Sequence, residues 1–519
     1  MNILTIDRDA DTPLYIQIRD NIIEAISNNT LSPGDRLPSV STLSREIGVT
    51  QATIRRALQD LGEAGHTECH VGRGTFIRDA STTKPDNHRK QGSDKRETIL
   101  HRKINPQHPV QRPFEYAAKR MRSAVRKALV DIMPLAHKEG IIQLTRGIPD
   151  GKLLPPNFIE EVNEETLAGG SSQFIQATEE LGMYELREEI ATRFNEDGAY
   201  ITPDQVLITN GSMQAITLVA QTALDKRPGV ICETPCFQGI PDTFSSLGHW
   251  VESVERDKEG PLPEKLHRLS QGEERLLYLC PYLHNPTGVD ISADRYKEIT
   301  DWARSTGSVV MADELFKDLR FAGDAPPSFY NSLGGDHTII VSSLSKSVMT
   351  GLRLGWLISS PEKIREIAHH KRLMDHSTPA FIQGMALTIL QSGKYDSHTE
   401  QMKTIYQERM VTLLKSLDKL MPKGVTWSKP VGGFSLFVEL PKGYSSVALL
   451  LSAIDKGVSF LPGPLFDIDH RFVHALRLST AWADKHQIKE GVELLASAVE
   501  ELISQPPGDS GLSGLGNFQ

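Results

Sequence analysis

Ser342–Trp356 reads SSLSKSVMTGLRLGW. Lys346 lies among Ser343, Ser345 and Ser347, with Gly351, Arg353 and Gly355 close behind. Taken alone, a lysine between serines is a solvated loop residue. In this company it has a second use. A primary amine forms a Schiff base with an aldehyde cofactor, and small hydroxyl side chains beside it donate hydrogen bonds to a phosphate. Arg353 adds a permanently charged, bidentate grip on that phosphate, and the glycines let backbone approach the ligand closely. Which use applies depends on whether the other parts of such a site occur elsewhere in the chain.

Around this stretch, apolar strand-like runs alternate with amphipathic helical ones. VLITN is followed by MQAITLVAQTAL and GVICETP, then RLLYLCP, a helix over 293–306, and SVVMADE. Such alternation predicts an α/β fold, a mostly parallel sheet wrapped by helices, with ligands bound beyond the carboxyl ends of the strands. The candidate residues fall at those ends. In Thr209–Gln214 (TNGSMQ) a strand gives way to a helix whose first N–H groups, at Ser212 and Met213, suit an anion, with Ser212 and Gln214 as side-chain donors. ETPCFQG places Phe237 on a loop, where its ring either stacks on a flat cofactor or fills the core. HNPTG sets Asn285 beside a proline, its amide suited to a phenolic oxygen. Asp313 ends a buried apolar strand, a costly place for a carboxylate unless it is paired; a protonated pyridine nitrogen is one such partner. Arg477, in ALRLSTAW, suits a substrate carboxylate.

The N-terminal block is different in kind. Residues 14–29 carry Leu14, Ile18, Ile22, Ile23 and Ile26 at helical spacing. After the breaker LSPGDRLPS, residues 40–47 read as a second helix, Gly48 as a tight turn, and residues 49–65 as a third helix that Thr50 caps. Helix, glycine turn, helix is a DNA-reading pattern in which the second helix presents its first residues to the major groove. Here these are Thr50, Gln51, Thr53, Arg55 and Arg56. HTECHVGRGTFI then reads as two short strands around a tip carrying Arg73. A three-helix protein-interaction domain is the alternative. Over residues 1–80, eight basic residues face eleven acidic ones, so a single copy should hold DNA weakly and a dimer on paired half-sites is expected.

Length and composition agree with a fusion. A chain of 519 residues exceeds one ordinary core, and 39% apolar with 24% charged residues describes a soluble globular protein. No apolar run matches a membrane span and MNILTIDRDADTP is no secretory signal, so no membrane association and a cytoplasmic location are expected. Of Cys69, Cys232, Cys236 and Cys280, only Cys232 and Cys236 have a spacing that suits a metal site or a disulfide framework, and those two, flanking a proline in an apolar context, read as buried free thiols; no metal is expected. The net charge of -9 argues against indiscriminate binding of polyanions. The expected domains are a DNA-binding block over 1–79, a polar, proline-punctuated basic tether over 80–112, a catalytic-type body over 113–504 with a smaller C-terminal subdomain from about 390, and a Gly/Ser/Pro-rich tail over 505–519.

Both halves resemble known families. From PLYIQI through GDRLPS to GRGTFI the N-terminal block resembles the winged helix-turn-helix of the GntR family, which implies DNA contacts by Arg36, Thr50, Gln51, Thr53, Arg55 and the Gly72–Gly74 wing; Ser41 stands where that family often has arginine. The S-x-S-K-x(6)-R-x-G-W pattern, with IIQLTRGIPDGKLLPP, GMYELREEIATRF, VGGFSLFVELP and GVSFLPGPLF, resembles class I/II aminotransferases of fold type I, nearest the 2-aminoadipate type. That resemblance implies pyridoxal 5'-phosphate (PLP), with Lys346 as its imine-forming lysine, Asp313 on the ring nitrogen, Asn285 on the 3'-oxygen and Phe237 stacked. It further implies that Ser212, Ser343, Ser345 and Arg353 hold the phosphate, that Arg477 takes an α-carboxylate and that Gly147 lines the way in. Two departures stand out: Phe316 replaces the tyrosine expected three residues after Asp313, and QFIQATEE lacks the tyrosine expected near 174–178 to reach a neighbouring subunit's phosphate. The fusion resembles MocR-type regulators. It implies a homodimeric transcription factor that senses an amino acid or amine by aldimine exchange at Lys346, and binds operator DNA. A working aminotransferase with an auxiliary DNA-binding domain is the alternative; a PLP site that is structural, with a non-amine effector, is a third.

Overall fold

The computed structural model describes residues 14–28, 30–50, 53, 54, 57, 58, 60, 61, 66–70, 74–77, 133–223, 229–469 and 471–507. The chain divides into two compact units, Met1–Pro106 and Gln107–Gln519.

In the first unit, helix α1 (Leu14–Ser27) buries Ile18, Ile22 and Ala25. Helix α2 (Val40–Ile47) begins where the Ser39 hydroxyl accepts from the Thr42 N–H and ends at Gly48, whose φ of 71° favours glycine. Residues 53, 54, 57, 58, 60 and 61 are helical, and Ile54, Ala57 and Leu61, spaced three and four apart, are fully buried. The Thr50 hydroxyl accepts from the Thr53 N–H at 3.3 Å, so the cap expected from the sequence forms. Thr50→Ala should cost this unit about 1 kcal/mol, read as a lower midpoint for its transition in thermal unfolding of the full chain. Strands β1 (Thr67–His70) and β2 (Gly74–Ile77) pair antiparallel, and Arg36 is exposed beside them in a bridge to Phe76. Thr53 is half-buried. Gln51, Arg55, Arg56, Arg73, the 80–112 tether and the tail from 508 lie outside the described residues.

The second unit is built on an eight-stranded sheet. After β3 (Ile142–Gln143), its strands are β4 (Val206–Thr209), β5 (Gly229–Thr234), β6 (Val251–Asp257), β7 (Gly260–Pro261), β8 (Arg275–Leu279), β9 (Val309–Asp313), β10 (Thr338–Ser343) and β11 (Gly355–Ile358). Their spatial order is β4-β11-β10-β9-β8-β5-β6-β7. Strands β5, β6, β8, β9 and β10 run parallel. Because β11 is antiparallel to both β10 and β4, β4 runs with the parallel set, and six strands end at one edge. Successive residues serve opposite faces. Ile208, Ala312 and Ile340 join one apolar cluster, whereas Leu207, Met311 and Val341 join another. Burial on both sides is why these strands read as unbroken apolar runs.

The smaller subdomain carries β12 (Thr426–Trp427), β13 (Ser435–Glu439), β14 (Val458–Ser459), β15 (Leu461–Pro462) and β16 (Ala475–Ser479), with the sheet order β12-β13-β16-β15. Strand β14 instead pairs with β3. The chain just before Gly147 is therefore stitched into the C-terminal subdomain, which brings Gly147 to Arg477 on β16.

Candidate functional site

Three loops at the strand-end edge meet in the register Ser343–Gly355–Thr209. A Cβ on Gly355 would stand 2.9 Å from the Ser212 nitrogen and 2.8 Å from the Ser342 carbonyl, so only glycine allows this approach. The helix α3 (Ser212–Ala223) opens directly above it, and its unpaired N–H groups and dipole favour an anion. Arg353 reaches the same place. Its Nη2 lies 2.8 Å from where a Gly211 side chain would begin, and among the described residues it bonds only the carbonyls of Thr350 and Asn210, at 3.5 and 3.4 Å. Ser343 and Ser345 are buried, hydroxyl to hydroxyl at 2.8 Å. Gln214 is otherwise engaged. Its amide donates to Asp375 at 2.6 Å and accepts from the Asn210 N–H at 2.7 Å, so it braces the loop rather than offering a donor to a ligand.

Asp313 is buried at the end of β9. It accepts from Tyr278 Oη at 2.7 Å and from the Leu315 N–H at 3.1 Å. Burial raises its pKa, while these bonds and the Lys346 charge pull it back. Lys346 donates to the Gly147 carbonyl at 2.7 Å, and its Nζ stands 5.9 Å from the centre of the buried Phe316 ring. Burial, with Arg477 and Arg353 nearby, drives its pKa down to about 8 against the opposing pull of Asp313. At pH 7 roughly a tenth of such amines are neutral, and at pH 9 most are. Since the neutral amine is the nucleophile, the rate at which the chain captures an aldehyde such as PLP should climb through pH 8 and then level off, as followed by stopped-flow absorbance.

Arg477 completes the pocket from the smaller subdomain. It is 4% exposed, donates to the Thr145 carbonyl at 2.5 Å and to Asn285 Oδ1 at 3.1 Å, and lies over the Phe466 ring at 5.3 Å. Its Nε is buried without a hydrogen-bond partner, and no carboxylate pairs with it among the described residues. Burial lowers its pKa to about 10, which leaves it charged at neutral pH. Asn285 accepts from Arg477 through Oδ1, which leaves its Nδ2 hydrogens to donate elsewhere. Phe237, by contrast, is 45% exposed on the loop after β5, so it is no core residue.

Sequence reasoning missed several supports. Tyr278 is one apolar-looking position in RLLYL, yet the pairing of β8 with β9 sets it beside Asp313. Asp375, at the end of helix α4 (Pro361–Asp375), gathers Lys371 Nζ at 2.7 Å together with Asn210 and Gln214; no local signal marks it. Behind Asn285, the buried Glu233 accepts from the Cys280 N–H at 2.5 Å and pairs with Arg256 at 3.3 Å, while Arg256 also reaches His284 at 2.8 Å. Burial lifts Glu233 to about 7 and holds His284 neutral.

Three cations, Lys346, Arg353 and Arg477, thus converge, among the described residues, with a single carboxylate, Asp313. Such a pocket calls for anions on its ligands. A phosphate at α3 and a carboxylate at Arg477 match the donors, and a ring nitrogen matches Asp313, so the residues fit PLP and an amino acid.

The comparisons with known proteins agree. Residues 139–495 match the family described as aminotransferase class I and II, and residues 14–77 match bacterial regulatory proteins of the gntR family. The 2-aminoadipate transaminase of Thermus thermophilus is 30% identical over 72% of this chain and 94% of its own length. The crystal structure of Pyrococcus horikoshii kynurenine aminotransferase, in complex with PMP, superposes with a TM-score of 0.68, at 29% identity over 72% of this chain and 94% of that one. Over the whole length, the HTH-type transcriptional regulator YdfD of Bacillus subtilis is 26% identical, across 95% of this chain and 98% of that protein.

The chain belongs to the class I and II aminotransferase family, whose fold takes an amino acid and uses PLP. With a gntR-family DNA-binding domain joined ahead of that fold, its architecture is that of a MocR-type transcriptional regulator. Among the described residues no helix is long and apolar enough to cross a membrane.

Proposed function

We propose that this chain is a DNA-binding regulator whose second unit senses an amino acid or amine at Lys346. The observation that carries the reading is Arg477: a buried, charged guanidinium with an unpartnered Nε and, among the described residues, no acid paired with it, 3.1 Å from Asn285. A guanidinium in that setting has been desolvated without compensation, and an α-carboxylate supplies it. PLP, when bound, supplies an aldehyde that condenses with amines and a ring that withdraws electrons. Lys346 would be the amine that holds that aldehyde, and an effector amine would compete with it for the same carbon. Ser343, Ser345, Arg353 and the start of α3 would hold the phosphate, while Asp313, oriented by Tyr278, would hold the ring-nitrogen proton. Asn285 would be the donor toward the 3'-oxygen, since Phe316 has nothing to donate. Release of Lys346 and the filling of Arg477 are the events that differ between free and effector-bound states, and a change of state needs such a difference.

The same groups support transamination, and the transaminase relatives favour that second reading. Lys346, freed near a substrate carbon, is also a competent proton shuttle. The two readings separate in one experiment on the full-length protein. Amino acids and amines are screened for those that change the cofactor's visible absorbance, and each hit is tested for keto-acid release and for altered binding to a DNA fragment selected from random sequence. The regulator reading expects the hit to shift DNA affinity by about 5- to 150-fold, the usual range of coupling between sites, with turnover slow or absent. Rapid keto-acid release with unchanged DNA affinity would establish the enzyme instead.

A further inference from the structure

The second unit has another cavity, on the opposite face of the sheet from Asp313. Asp313 and Glu314 are consecutive, so one side chain serves the PLP pocket and the other turns away. Glu314 lines a cavity of about 260 Å³ between β10, β11, the helix Tyr184–Glu196 and helix α5 (Lys394–Leu420). Ser342 and Trp356 lie on its wall with Ile340 and Ile358, in register across β10 and β11.

The lining is acidic beyond what it neutralises. Six carboxylates face three basic groups, Arg193, Lys317 and Lys403. Each base is already engaged: Arg193 grips Asp396 through two bonds of 2.9 and 3.0 Å, Lys317 bonds Asp197 at 2.5 Å, and Lys403 bonds Glu400 at 2.6 Å. Asp318 accepts from the Tyr395 hydroxyl and Glu196 has no basic partner among the described residues. Burial raises the pKa of Glu314, and Asp197 and Asp318 add to that rise while Lys317 opposes it. A second observation points to a ligand independently of charge. Thr399 lines the cavity and is 4% exposed, and its hydroxyl is buried with no hydrogen-bond partner, a state that costs free energy until something occupies the space. The walls include the rings of Trp356, Phe194 and Tyr395, surfaces that attract a cation. Among the described residues no group of three or more His, Cys, Asp or Glu is placed to hold a metal ion.

We infer that this cavity is a second ligand site, for a small organic cation carrying one or two ammonium groups, separate from the Lys346 pocket. Its ammonium groups bond Asp318 and Glu196 at the exposed rim, its chain lies along Trp356 and Tyr395, and the Thr399 hydroxyl takes part at the floor. The inference does not rest on the sensing role of Lys346.

Two probes test it by calorimetry on the full-length, PLP-loaded protein: 1,4-diaminobutane, and its N,N,N',N'-tetramethyl analogue, a tertiary diamine that cannot condense with an aldehyde. The expected result is saturable binding of one diamine per chain, with no change in the cofactor's absorbance for the tertiary probe. Asp318→Asn and Glu196→Gln, both at exposed positions that leave the Lys346 pocket intact, should each weaken binding by about tenfold or more, the scale of losing one charge-assisted hydrogen bond. Absence of saturable binding by both diamines overturns the inference. So does binding unaffected by either substitution. Saturable magnesium binding that both substitutions weaken, with no diamine bound, overturns it in favour of an inorganic cation.

Discussion

Lys346→Ala will leave a folded, DNA-binding protein that no longer holds PLP covalently and no longer answers its effector. The side chain is half-buried and, among the described residues, bonded only to the Gly147 carbonyl, so its loss removes a desolvated amine rather than a piece of the core. Stability should change little, because a lysine whose pKa is lowered to about 8 is a mild liability in the folded state. The sign comes from linkage. The unfolded chain binds the proton more tightly, so the charged form costs the fold stability at pH values below 8, and this penalty fades as pH rises toward the unfolded value. Alanine removes it. The variant should therefore match or slightly exceed the parent in thermal midpoint at pH 6 to 7, lack the visible band obtained when the parent is given PLP, and bind the selected DNA with an affinity that no amino acid alters. Lys346→Ala protein whose DNA affinity still shifts with the parent's effector would remove imine exchange from the mechanism and leave only Arg477 and its neighbours to detect the ligand.

How much of this was legible beforehand depended on whether the information was local. The helix over 293–306 is capped by Ser292 and stopped by Gly307 in a left-handed turn, and both signals sit in the sequence. The same holds for Ser39, Gly48 and Thr50 in the first unit. The strand-end positions of Asn285, Asp313 and Lys346 were readable because buried parallel strands are short apolar runs, and the residues just past each run face the ligand edge. Partnership across distance was beyond reading. Nothing in RLLYL says that Tyr278 meets Asp313, since that depends on the register of β8 against β9. Gln214 looked like a ligand donor, but Asp375, about 160 residues later, claims it. The contribution of β3 to the smaller subdomain through β14 is likewise invisible locally, though it is what places Gly147 beside Arg477. The second cavity arises from five separate segments and has no motif at all.

Arg477→Gln tests the part of the site that decides which ligands count. In the parent, the guanidinium is buried with donors toward Thr145 and Asn285, and its remaining capacity points at a carboxylate. An amide of similar reach keeps a hydrogen bond but not the charge or the two-point geometry. Removing one member of a buried, hydrogen-bonded charge pair costs about 2–5 kcal/mol in binding, which is roughly thirtyfold to several thousandfold in affinity. Effectors bearing an α-carboxylate should lose that much in a titration followed by the cofactor's absorbance. Amines without a carboxylate should lose little, because they never engaged the guanidinium, and with a buried positive charge gone they should even gain. The reversal in preference is the decisive reading, since a merely damaged pocket would weaken both classes alike. Capture of PLP itself should persist but slow near neutral pH. Arg477 is the leading charged neighbour that depresses Lys346, so its removal lets the amine pKa rise and leaves less neutral amine at pH 7. The midpoint of the capture profile should move above pH 8, while the phosphate cradle of Ser343, Ser345, Arg353 and α3 stays intact. A variant that binds PLP on that shifted profile but has lost its affinity for amino acids while keeping that for simple amines would assign the carboxylate to Arg477; equal losses for both, with an unmoved profile, would take that role away from it.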